Sequence, residues 1–72
     1  MNIRDKWIDG TLVDAFDWID GQNIYLNMRY WKPGSSIEKK PNWEKTVLVD
    51  KSDEETLRQN LHSVVRHYAW KN

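Results

Sequence analysis

The side chains best suited to catalysis or metal binding are two histidines, His62 and His67, and a serine, Ser63. On a helix, residues five apart point about 140° from each other, so the two histidines cannot hold one metal ion. Ser63 and His67 are four apart and could share a hydrogen bond, as a serine nucleophile and its base do. Because no acidic residue occupies that part of the predicted helix, we expect no catalytic set there.

Signatures of cofactor chemistry are also missing from the sequence. The chain has no cysteine, which removes disulfides and thiolate metal sites. The aspartates of the first third lack the D-x-D-x-D-G spacing of a calcium loop, and there is no glycine-rich phosphate loop or dinucleotide fingerprint. We therefore expect no metal, no cofactor and no enzymatic activity, which leaves binding through a surface.

Aromatic residues are the unusual part of the composition, since there are five Trp, three Tyr and one Phe among 72 residues. A chain of this length has room for one small domain and buries only about 60% of its unfolded surface. Each large ring can bury about 150–250 Å². Several rings are therefore expected to supply the core, and the others are candidates for contacts with a partner.

The tetrapeptide WIDG occurs twice near the start of the chain, and its Asp-Gly pair favours a tight hairpin turn. We place the turns at Asp9-Gly10 and Asp20-Gly21, between residues that suit strands. Three strands are then predicted, near 3–8, 11–18 and 23–31. Apolar residues within 11–19 also have helical spacing, so a helix over that segment is the alternative.

The second hairpin has two possible registers, which differ in the residues that share the face of Ile24. A two-residue turn adds three residues to that face: Val13, Ala15 and Asp17. A type I turn with Gly21 as a bulge residue adds a different set: Leu12, Phe16 and Trp18. We predict the bulged turn because the second set offers far more apolar area. The opposite face then carries Tyr25, Asn27, Arg29 and Trp31.

A long connection follows the third predicted strand. Pro33-Gly34 is a turn pair, and Pro41 cannot donate to a central ladder, so we predict a loop over 32–44. A short strand over 45–50 follows it. Loops of such length in a compact domain are often functional.

The last element is predicted to be one helix over 53–70. Ser52 and Glu55 match a capping box, and apolar residues then recur every three or four positions. The expected fold class is therefore α+β, an antiparallel β-meander of three to four strands packed against one C-terminal α-helix.

Charges balance overall but are distributed unevenly, with 11 basic and 11 acidic side chains in the chain. Residues 1–28 carry two basic against five acidic side chains, and residues 29–51 carry six against three. Nucleic-acid-binding proteins typically carry a clear positive net charge. A neutral chain with an acidic first third therefore favours a protein as partner.

We expect a small non-enzymatic protein-interaction module, a regulator or inhibitor that occupies the surface of a partner protein. The alternative is a nucleic-acid-binding module that uses the sheet face and the basic segment 29–51 for stacking and phosphate contacts. The candidate partner-binding residues are aromatic or basic: Tyr25, Arg29, Trp31, Lys39, Lys40 and Trp43. If the N-terminal strand or the long loop folds over that sheet face, the rings on the face form a second small core instead.

Hydropathy gives no indication of a membrane segment. No stretch approaches the roughly 18 apolar residues of a membrane span, and the mean hydropathy is −0.88. The N-terminal residues contain no apolar run that could serve as a signal peptide. Together with the lack of cysteine, this favours a cytoplasmic protein that has no membrane partner.

Overall fold

A computed structural model describes residues 2–70, which form one antiparallel sheet followed by two helices. The four strands follow one another across the sheet in chain order: β1, Asn2–Ile8; β2, Thr11–Asp20; β3, Asn23–Trp31; β4, Trp43–Leu48. A 3-10 turn leads from the sheet into the helices α1 and α2: the turn spans Lys51–Asp53, α1 Glu54–Gln59 and α2 Leu61–Ala69. The predicted α+β fold and its meander are confirmed, and the segment 11–19 is strand rather than helix.

The two copies of WIDG form two different turns. In the first, Asp9 and Gly10 are the turn residues and both have positive φ, 50° and 81°, as a type I′ hairpin requires. In the second, Asp20 is still paired within the strands, so the turn consists of Gly21, with φ 64°, and Gln22. Glycine at the first turn position is the type II′ pattern. The predicted turn at Asp20-Gly21 is therefore wrong by one residue.

The two-residue turn makes the predicted bulged register wrong and exchanges the two faces of β2. Ile24 shares its face with Val13 and Ala15, whereas Phe16 and Trp18 lie on the opposite face. Apolar area alone favoured the other register, but the helices decide which face is covered. The small side chains of Val13 and Ala15 let the helices pack directly on the sheet, and both residues are almost completely buried.

The core lies between the helices and the side of the sheet that they cover, which is referred to as the inner face. The strands contribute Ile8, Val13, Ala15, Ile24, Leu26, Met28 and Tyr30. The helices contribute one apolar stripe: Leu57, Leu61, Val64, Val65, Tyr68 and Ala69. Within residues 2–70, neither helix has the length and apolar composition needed to cross a membrane.

Two buried tyrosine hydroxyls join the helices to the rest of the molecule. The Tyr30 hydroxyl donates to the Ala69 carbonyl oxygen at 3.3 Å, and burial raises the pKa of Tyr30 to about 12. The Tyr68 hydroxyl donates to Asp53 Oδ2 at 2.7 Å and accepts from the Asp50 N–H at 2.9 Å. Burial raises the pKa of Tyr68 as well. These bonds fix α2 against the inner face and against the segment that follows β4.

The C-terminal helical segment is interrupted, so the single helix predicted over 53–70 is wrong in its continuity. Asn60 has φ −154° and ψ 83°, and it separates α1 from α2. Its Oδ1 accepts a hydrogen bond from the Ser63 N–H at 3.2 Å, which makes Asn60 the N-cap of α2. Ser52 lies within the 3-10 turn, and the N-cap position of α1 is Asp53, whose side chain makes no capping bond. The predicted capping box is therefore wrong too.

The long connection is two residues shorter than predicted and spans 32–42. The Asn42 N–H donates to the Tyr30 carbonyl oxygen at 2.8 Å, and its side-chain Oδ1 accepts from the Lys32 N–H at 2.7 Å. These bonds close the loop on itself, so β4 begins at Trp43 rather than at residue 45.

Candidate docking surface on the outer face of the sheet

The outer face of the sheet, opposite the helices, carries an exposed cluster of four large apolar side chains. Trp18 of β2, Tyr25 of β3 and Leu48 of β4 are cross-strand neighbours in one row. Phe16 lies two residues from Trp18 on the same face of β2. Phe16 is 44% exposed, Trp18 39% and Leu48 52%, and Tyr25 is partly buried. These four residues are referred to as the outer patch.

The rings of the outer patch contact one another. The Phe16 and Trp18 centroids are 5.4 Å apart, and those of Trp18 and Tyr25 are 5.6 Å apart with an interplanar angle of 19°. Such ring contacts, within β2 and across to β3, restrict the rotamers of each side chain, so the surface is already ordered before a partner arrives. The four side chains together expose roughly 300 Å², comparable to the largest apolar patch of a typical monomer, which is often functional.

A polar group centred on the buried Asn27 borders the outer patch on the side of the long loop. Asn27 is 8% exposed, and its Nδ2 donates to Thr46 Oγ1 and to Glu44 Oε2, both at 3.1 Å. Asn27 lies directly across from Phe16. This amide ties β3 to the edge strand β4 next to the rings.

An ion pair occupies the next row of the outer face. The Arg29 guanidinium lies 2.9 Å from Asp14 Oδ2, and the Asp14 side chain is only 7% exposed. Asp14 Oδ1 also accepts from the Asp5 N–H at 2.8 Å. The Arg29 guanidinium in addition lies 5.6 Å from the centre of the Trp31 ring. Arg29 is therefore held by groups of its own chain rather than projecting as a free cation.

The far end of the outer face is covered by the long loop. Trp31 is 1% exposed, and its ring N–H donates to the Lys39 carbonyl oxygen at 2.9 Å. Leu12, its cross-strand neighbour, is buried as well. The sequence left open whether this sheet face is exposed or covered by another segment of the chain. At this end the face is covered. Trp31 stabilises the loop and is not available to a partner.

Three predicted residues lie away from the outer patch. Lys39 and Lys40 are exposed on the long loop, at the Trp31 end of the face. The six residue steps from Tyr25 to Trp31 span about 20 Å along β3. Trp43 lies on the inner side of β4, where its ring centroid is 5.4 Å from that of Tyr30.

Tyr25 is therefore the one predicted candidate that belongs to the outer patch, and sequence reasoning missed the other three members. The bulged register places Phe16 and Trp18 in the core. Leu48 lies in the strand predicted over 45–50, and nothing in the sequence marks it as a contact residue. The signal that could have found them is Gly21 as the first residue of a two-residue turn, since that choice alone moves both rings outward.

The helices carry a shallow cleft of about 230 Å³ that contains Ser63 and His67. The fold adds an acid that the sequence did not place there, because Asp53 lines the same cleft. Within residues 2–70, no hydrogen bond joins these three side chains, and Asp53 instead accepts a hydrogen bond from the Tyr68 hydroxyl. In the same range, no group of three His, Asp or Glu side chains could hold a metal ion.

Comparisons with protein families, with curated proteins and with solved structures gave no match for this chain.

Proposed function

We propose that this chain is a small protein-interaction module that docks a partner protein through the outer patch. By covering part of the partner's surface it acts as a regulator or inhibitor. The observation that carries the proposal is the stacked and exposed row of Trp18, Tyr25 and Leu48 on a sheet face that no helix covers. Tryptophan and tyrosine are the side chains most enriched at the energetic centres of protein interfaces.

The chemistry of the neighbouring positions supports an apolar protein segment as the occupant. On β2–β4, the outer-face positions next to the patch carry Asp20, Asn23, Asn27 and Thr46. Arg4 and Arg29 line a shallow cleft beside Phe16, where the Arg29 guanidinium is paired with Asp14. A partner with apolar side chains and basic flanks can bury the rings against its own apolar surface and keep its charges near Asp20.

The nucleic-acid alternative has weaker support from the same geometry. Stacking on Trp18 and Tyr25 requires cations near the rings to hold the phosphates. The exposed loop lysines Lys39 and Lys40 lie about 20 Å away along β3, and the guanidinium of Arg29 is paired with Asp14. Arg29 is the residue of the basic segment that lines a cleft beside Phe16, and its charge is already paired with Asp14. The loop lysines lie away from the exposed rings.

The proposal is tested by comparing Trp18→Ser with Ile19→Ser in affinity capture from cell extract. Ile19 is the matched control because it is the next residue of the same strand, is 72% exposed, and lies on the inner face. We expect Ile19→Ser to capture the same proteins as the unmodified chain. For Trp18→Ser, loss of a central aromatic contact of about 2 kcal/mol weakens binding by about 30-fold and removes those proteins.

Nuclease treatment and salt separate the two candidate functions. Docking through the outer patch predicts captured proteins that persist after nuclease treatment and whose binding changes little between low and high salt. Binding that disappears with nuclease, or that falls steeply with salt, would instead support a nucleic acid as partner. Equal capture by Trp18→Ser and Ile19→Ser would remove the outer patch as the docking surface.

A further inference from the structure

The two edges of the sheet differ in how well they are protected from pairing with another strand. On β1, the register with β2 is irregular between Ile3 and Lys6, and Asp5 has a φ of 56°. The Asp5 N–H is also used by the Asp14 side chain. A bulge of this kind, with charged residues beside it, prevents a neighbouring strand from pairing. On β4, the six residues Trp43–Leu48 contain no proline and no positive φ.

The hydrogen-bond phase of β4 shows which backbone groups face away from the sheet. The Val49 N–H donates to the Ile24 carbonyl oxygen at 2.9 Å, in the same register as the β3–β4 ladder. Along an antiparallel ladder, the backbone groups of alternate residues point to the same neighbouring strand. The N–H and C=O groups of residues 43, 45 and 47 therefore point to β3. The N–H and C=O groups of Glu44, Thr46 and Leu48 point outward. Within residues 2–70, no further strand pairs with them.

We propose that two copies of this chain pair antiparallel along β4, with Thr46 facing Thr46 of the second copy. The two four-stranded sheets then form one continuous sheet around a twofold axis perpendicular to it. The outward groups of Glu44 and Thr46 in each copy gain partners, and the inner and outer faces of both copies coincide. The pairing uses the backbone edge of β4 and does not require the partner proposed for the outer patch, with which it shares the Leu48 side chain.

Side-chain charge selects this register over its neighbours. Centring on Lys45 would place the two copies' lysines directly opposite each other, and centring on Val47 would oppose Glu44 with Asp50. Like charges directly opposite destabilise a strand pair. Centring on Thr46 instead places Glu44 opposite Leu48 and Lys45 opposite Val47. The second strand also covers part of the exposed Leu48 side chain, on the outer face, and the exposed Trp43 side chain, on the inner face.

The pairing buries less area than a permanent dimer. An interface of one edge strand and its flanking side chains falls at the low end of specific interfaces, below about 1,200 Å². We therefore expect weak, reversible association with a dissociation constant on the order of micromolar. Sedimentation equilibrium is expected to show a mass of twice 8.7 kDa at high concentration, falling to 8.7 kDa on dilution. A mass of 8.7 kDa throughout the micromolar range and up to about 0.5 mM would overturn the proposal.

The register is tested with single cysteines, which the chain permits because it has none of its own. In Thr46→Cys the two cysteines face each other with Cα atoms about 5.5 Å apart, within disulfide range. We expect rapid formation of a cross-linked dimer under mild oxidation. In Glu44→Cys the two cysteines are four residues out of register, about 13 Å apart. That variant is expected to stay uncross-linked, and equal cross-linking of both variants would refute the register.

A pair of Thr46 variants tests the backbone bonds themselves. Thr46→Pro removes the outward N–H without removing a backbone bond to β3, whereas Thr46→Val keeps the N–H. Both variants lose the hydroxyl that accepts from Asn27 Nδ2. We expect Thr46→Pro to sediment as a monomer with an unchanged sheet signal in circular dichroism, and Thr46→Val to dimerise. A folded Thr46→Pro that still dimerises would contradict edge pairing. If proline unfolds the chain, the cysteine pair and the concentration series still decide the proposal.

Discussion

Replacing Trp31 by alanine separates a structural role of this ring from a role in partner binding. The ring is 1% exposed beneath the loop 32–42, and its N–H donates to the Lys39 carbonyl oxygen. A buried Trp ring covers about 150–250 Å², which at about 25 cal/mol per Å² corresponds to about 4–6 kcal/mol as an upper value. Measured Trp→Ala changes in cores are about 3–5 kcal/mol, and the lost hydrogen bond contributes about 1 kcal/mol.

Because the loop can collapse partly into the vacated space, we expect Trp31→Ala to lower the free energy of unfolding by about 4 kcal/mol. A chain of this length has a total stability of about 4–11 kcal/mol. The measurement is urea unfolding followed by far-ultraviolet circular dichroism. With a slope of about 1 kcal/mol per M urea, the midpoint falls by about 4 M, or the variant is unfolded without urea.

Trp7→Ala is the matched control, since Trp7 lies on the same face, next to Leu12 on β1, and is 58% exposed. We expect it to change the free energy of unfolding by less than about 1 kcal/mol. Trp31→Phe should fall between the two, because it keeps a ring but loses the N–H. If Trp31→Ala were as stable as Trp7→Ala, the loop would not cover this end of the face and Trp31 would again be a candidate contact.

Two further predictions concern the helices and their attachment. The pKa of Tyr30 is raised from 10.0 to about 12, so the stabilisation from its buried hydroxyl is complete below pH 10 and is lost as the pH rises towards 12. The loss is about 3 kcal/mol, and Tyr30→Phe should flatten that part of the stability–pH curve in alkaline urea titrations. Asn60→Ala should cost about 1 kcal/mol of unfolding free energy, because it removes the N-cap of α2, whereas Ser52→Ala should stay within about 0.5 kcal/mol. Equal effects of these two substitutions in thermal unfolding would mean that Asn60 does not act as a cap.

Features that depend on neighbours within a few residues were predictable from the sequence. Asp9-Gly10 forms a two-residue turn because glycine and aspartate tolerate positive φ, whatever the rest of the chain does. The alternation of β3 and the apolar stripe of the helices are also local patterns, and both have their expected elements. These patterns are sufficient for the α+β meander.

The candidate surface depended on contacts between distant segments. Both registers of the second hairpin satisfy the local turn chemistry, and only helix packing on Val13 and Ala15 leaves Phe16 and Trp18 outside. Likewise, nothing near Trp31 in the sequence indicates that the loop closes over it through the Lys39 carbonyl.

The sequence by itself therefore determined the elements, their order and the supply of aromatic rings. The tertiary structure alone decided which rings are buried, because burial of a sheet face is set by the segment that packs on it. A shift of one residue in pairing exchanges the two faces without changing any local preference. For this chain, that shift places Phe16 and Trp18 on the same face as Tyr25, and the cover of the loop over Trp31 removes the far end of that face from the candidate docking surface.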